Sequence, residues 1–253
     1  MRAAALLVAL VLPSTGVAQD DPAARAGRAR ALHDRMRLQV GDHFTVAFDG
    51  PEQADLAERA LEALDRAYWR IGEALNSFPA TPVPVVLYTT EQFSDITRAP
   101  RWAAGAYDGT IRVPMRGALQ RPAELDRVLA HEFAHALLRT LTPRRLPMWL
   151  NEGVAAALEQ ESLEWATDVV RSAGRTAALE SLDGSFGPLS ADAAALAYAT
   201  SALAVRTLLD RHGGVAVSNL VRDLGLGEPL AAAFEHRMQE PWADFSASFR
   251  SSH

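Results

Sequence analysis

Short alternating or valine-rich stretches occupy the first half of the chain, and helically spaced apolar residues fill almost all of the second. Three strands are predicted, over 43–48, Pro82–Thr90 and Thr110–Val113. Between the first two, Leu56, Ala60, Leu61, Leu64, Tyr68 and Ile71 recur at three- and four-residue spacing, which predicts a long amphipathic helix over about 51–76. Later periodicity predicts helices over 122–142, 147–160, 162–178, 191–212, 215–224, 228–235 and 241–250. Strands followed by a run of helices fit an α+β architecture. Residues 19–40 read as a linker or helix, and 41–253 as a single domain, with a sheet lobe over about 41–120 and a helical lobe over about 121–253.

The helix over 122–142 carries the most informative residues. Arg121-Pro122-Ala123-Glu124-Leu125-Asp126 reads as its start, with proline in the first turn and acids at the positive end of the dipole. Leu125, Val128, Leu129, Leu137, Leu138 and Leu141 carry the apolar pattern onward, and Thr142-Pro143 ends it. Midway stand His131-Glu132-Phe133-Ala134-His135. Histidines four residues apart share one helix face a turn from each other. They can fill two corners of a tetrahedral zinc site, with Glu132 in reach of a water on the metal. Imidazoles embedded among leucines cost free energy unless something satisfies them, and a metal does that. A histidine pair satisfied by the core or by solvent is the plainer alternative.

A catalytic zinc keeps three protein ligands and one open position. The third candidate lies in Leu146-Pro147-Met148-Trp149-Leu150-Asn151-Glu152-Gly153-Val154-Ala155, where Glu152 is the one acid in an apolar segment. Burying such a carboxylate is expensive unless it is paired or bound to a cation. Sixteen residues separate His135 from Glu152, enough to finish one helix, turn and return antiparallel. An exposed acid in a helix's first turns is the other reading.

At His131–His135 (HEFAH) and Leu146–Gly153 (LPMWLNEG) the chain resembles the gluzincin metallopeptidases, and among them the peptidase-MA-like domains of exported bacterial proteins. The resemblance extends from about residue 43 to the C-terminus, taking in Ala106–Pro114 ahead of the motif helix and Ala197-Tyr198-Ala199-Thr200-Ser201-Ala202 behind it. It implies a zincin-like, thermolysin-type fold with a small N-terminal sheet, an HExxH helix and a helical C-terminal lobe. It further implies Zn2+ held by His131, His135 and Glu152, with Glu132 as the general base that activates water for peptide-bond hydrolysis. Thermolysin-type members carry an aspartate four residues after the ligand glutamate, where this chain has Ala156.

Tyr198 is the candidate second donor to the oxyanion, because gluzincins often place a tyrosine or histidine on a later helix for that role. A core aromatic with its hydroxyl on the backbone is the alternative, and Tyr107 and His212 are substitutes. His212, beside Gly213-Gly214, also reads as a helix-terminal histidine meeting the negative dipole end. Thr110, Ile111, Arg112 and Val113, bounded by Asp108-Gly109 and Pro114, read as a strand end or sheet edge. In the resembled family this is the strand that pairs with an extended peptide substrate. An ordinary interior strand fits the same residues.

Composition sets the context. Met1-Arg2, an apolar run from Ala3 to Leu12, and small residues through Gly16-Val17-Ala18 have the layout of a secretory leader over 1–18, cleaved after Ala18 or Gln19. Export to a periplasm or the cell exterior is the expectation. No run reaches the ~20 apolar residues of a membrane span, so none is expected in the mature chain. The chain has no cysteine, so zinc ligation must use histidine and carboxylate. All 25 basic residues are arginine, and the net charge of −6 with no basic cluster argues against nucleic acid as a partner. A peptide or protein substrate is the expected partner, and no feature fixes the oligomeric state. The rival to a peptidase is a binding or scaffolding module that keeps the fold and the metal without catalysis. The intact His, Glu, His, Glu set speaks against it, since proton transfer is the evident purpose of Glu132.

Overall fold

Phe44, Val46 and Phe48 are buried while Thr45 and Ala47 are half-covered, as in a strand with one face against a core. This strand, β2 (Phe44–Phe48), belongs to a five-stranded sheet with β1 (Arg37–Val40), β3 (Val83–Tyr88), β4 (Ala106–Tyr107) and β5 (Ile111–Pro114). The order is β1-β2-β3-β5-β4. The central strands β2, β3 and β5 are parallel, and β1 and β4 pair antiparallel at the two ends. Parallel neighbours need a crossover, and α2 (Ala54–Leu75) supplies it between β2 and β3. The computed structural model describes residues 22–50, 54–89, 92, 105–114 and 122–251. The leader expected over 1–18 lies outside them. Two compact units are formed, one from the chain up to Tyr68 with Pro79–Ala136, the other from Trp69–Phe78 with Leu137–His253.

Two strands escape sequence periodicity. In β1, Leu38 and Val40 are 65% and 73% exposed, so the strand owes its existence to main-chain pairing with β2 rather than to a buried face. The tight return is closed by Gly41 N–H donating to the Phe44 carbonyl at 2.9 Å. β4 is two residues long and folds back on β5 through Asp108-Gly109, with Gly109 at φ +104°.

That hairpin sets β4 beside the first half of β5, pairing Ala106 with Arg112 and Tyr107 with Ile111. Among the described residues β4 stands last in the sheet order, and Val113 pairs on the other side with Leu87 of β3. The Arg112 side chain is engaged as well. It donates to both Asp108 oxygens, at 3.0 and 3.1 Å, and to the Tyr88 hydroxyl at 2.6 Å. The same hydroxyl lies 2.8 Å from Nε2 of His33 on α1 (Pro22–His33), within hydrogen-bond distance. Burial pushes the Tyr88 phenol up, while burial and then the Arg112 charge hold His33 below its ordinary value. Leu32 of α1 and the following Met36 pack with Val86, Tyr88 and Ala106 on the same sheet face.

The helical remainder comprises α3 (Pro122–Leu141), α4 (Met148–Leu158), α5 (Glu164–Ala173), α6 (Ala191–Leu226), α7 (Leu230–Met238) and α8 (Trp242–Ser251). α6 bends at Gly213 (φ 78°, ψ 164°), matching the break expected between 212 and 215. Beyond the bend, Ser218 donates to the Leu75 carbonyl at 2.6 Å. Helix α4 crosses α6 at Gly153, where a Cβ would stand 2.6 Å from the Ser201 carbonyl oxygen. Its last carbonyls are taken by two arginines: Arg206 donates to Ala157 at 2.7 Å, and Arg70 to Leu158 and Glu159. Ala157 is fully buried, so Arg206→Ala strands a carbonyl and is expected to cost about 1–3 kcal/mol in a urea titration. A midpoint equal to that of the native protein would deny the cap any weight. No helix among the described residues is long and apolar enough to cross a membrane.

Candidate metal centre

Phe133 sets the orientation of the motif helix. It has no exposed surface and meets Phe44 of β2 edge-on at 5.4 Å and Tyr68 of α2 at 5.8 Å. Aromatic contacts of this kind fix the roll of a helix about its own axis. With Phe133 locked, His131 and His135 lie together one turn apart, their ring centroids 4.9 Å apart and their planes inclined by 76°.

His131, His135 and Glu152 offer ligand atoms that all lie within 4.8 Å of one another. His131 and His135 are each 4% exposed, Glu152 1% and Glu132 0%. Three ligand atoms around one zinc at ~2.1 Å would stand about 3.4 Å apart. The donor set also suits the metal: two imidazoles and a carboxylate, with no thiolate. Glu152 is further held by its neighbour, whose Asn151 Nδ2 donates to Glu152 Oε1 at 3.4 Å. Sequence reasoning passed over Asn151, although it stands inside the quoted motif.

A second acid and histidine grouping, Asp223, Glu228 and His236, differs in kind. Asp223 already receives Arg237 through two bonds of 2.5 and 2.9 Å, and that guanidinium holds its carboxyl below the usual range. The cation of this cluster is part of the chain.

The other predicted site residues are placed as follows. Tyr198 lies on α6, buried, with its ring edge-on to Phe186 at 5.1 Å. Tyr107 belongs to the edge strand β4. His212 faces Glu240 at 3.3 Å, an ion pair whenever the imidazole is protonated. Thr110 stands in the turn before β5, which holds Ile111, Arg112 and Val113.

No protein-family model matches the chain, and no curated protein matches it. Among solved structures it superposes on Legionella pneumophila aminopeptidase A, crystallised with aspartic acid, with a TM-score of 0.51 and 15% identity. The match covers 85% of this chain and 28% of that one. The shared feature is a fold. This chain spans little more than a quarter of that enzyme's length. A two-domain M1 zinc metallopeptidase mutant bound to L-arginine aligns with a TM-score of 0.44 and 15% identity, over 85% of this chain and 50% of that one.

Proposed function

We propose that this chain is a zinc-dependent peptidase, with His131, His135 and Glu152 holding the metal and Glu132 serving as general base. The observation that carries the reading is the buried grouping of those three ligand sets, with the buried Glu132 next to His131 on the same helix. Placed among these ligands, zinc would bring the pKa of a water towards ~7 and polarise the scissile carbonyl. Glu132 accepts the proton of the attacking water and returns it to the leaving nitrogen. The substrate is a peptide or protein, met outside the cytoplasm if the leader over 1–18 directs export. The thermolysin-type arrangement of the finer fold belongs to the same proposal.

Tyr198 completes the reading as hydrogen-bond donor to the oxyanion. Tyr198→Phe is expected to slow turnover by about 10²-fold with little change in KM, as for the loss of one such donor. An unaltered rate would return Tyr198 to the core it shares with Phe186.

The experiment that tests the proposal is the zinc content of the purified protein, followed by a peptide-library assay before and after chelation. About one zinc per chain is expected, with hydrolysis lost on chelation and restored by zinc. Failure to take up zinc after reconstitution would end the peptidase reading.

A further inference from the structure

Gly105 is buried immediately ahead of β4. A Cβ built on it would stand 2.5 Å from Oε1 of Glu132, 2.9 Å from its Cγ and 3.0 Å from its Cδ. Such distances are closer than non-bonded carbon and oxygen tolerate, so the carboxyl end of Glu132 fills the space that a side chain at 105 would claim. The backbone of Gly105 lies outside the left-handed region where five other glycines sit, so alanine could adopt its conformation. The requirement is therefore for room. Glu132 has no exposed surface into which it could retreat.

We infer that Gly105 is the positioning residue for the Glu132 carboxylate: its missing side chain forms the recess in which that carboxylate is held. The inference rests on the reading of Glu132 as general base, and it adds a determinant on a different element from the motif helix. An alanine at 105 overpacks the recess, and the part of Glu132 that must yield is its carboxyl end. Displacing a reacting group by about 1 Å costs on the order of 10²-fold in rate. A main-chain segment ahead of the edge strand thus governs the base, while the metal ligands are untouched.

The test is Gly105→Ala in the full chain, alone and combined with Glu132→Ala, which empties the recess. Alone it is expected to lower the Tm by about 3 °C, the scale of mild overpacking in a chain of this size. In the Glu132→Ala background the Tm loss is expected to fall below about 1 °C, because the carboxyl group is gone. The zinc affinity of Gly105→Ala is expected to stay within about threefold of the native value, with kcat reduced about 10²-fold and KM nearly unchanged. Equal Tm losses in both backgrounds would overturn the inference, and so would a native kcat or a loss of zinc. Should the native protein hold no zinc, the peptidase reading fails, and the Tm comparison still decides whether Gly105 makes room for Glu132.

Discussion

Glu132→Gln is expected to abolish peptide hydrolysis while leaving zinc content at the native level. Glutamine keeps the shape of the side chain in its recess beside Gly105 and removes the ability to accept a proton. General-base catalysis contributes about 10²–10⁴-fold, so turnover should fall by at least that range. Because Glu132 is not among the grouped ligand atoms, metal binding has no reason to change. The pairing of lost turnover with retained zinc separates a missing base from a damaged site. Metal analysis and initial rates on one preparation suffice to check it. Retained turnover would remove Glu132 from the role of base.

Glu152→Ala should act on the metal itself. Residues that only support a ligand already cost 10–100-fold in affinity when removed, so deleting a ligand should exceed about 10²-fold. Competition against a chromophoric chelator reads this directly. With zinc bound, Glu152→Ala should also be less stable than the native chain, because the binding free energy that the metal adds to the folded state is lost. Unchanged zinc affinity would mean that the third ligand lies elsewhere.

Legibility followed distance along the chain. The motif helix could be read because five consecutive residues hold its chemistry and its flanks hold its caps and leucines. Glu152 stood out as an acid in an apolar segment, which is again local. The break at Gly213 was visible in the glycine pair. The strands β1 and β4 were not visible, because β1 turns Leu38 and Val40 to solvent and β4 has two residues, too few for any period. Asp108-Gly109 is the hairpin signal that points to a partner strand beside Thr110–Val113. The arginine caps on α4 and the approach of Gly105 to Glu132 join residues far apart in sequence. No single-sequence pattern encodes them.

The stacked indoles at the start of α4 have a practical corollary. Trp149 stands three residues ahead of Glu152, and its ring lies 5.1 Å from that of Trp242 with planes inclined by 20°. Indoles that close share their excited states, so the pair forms a chromophore sensitive to its own geometry. A chain with no thiol and no lysine amine offers few handles for an attached dye. The pair sits on the helix that bears Glu152, so ultraviolet circular dichroism is expected to report on that helix as metal is titrated in.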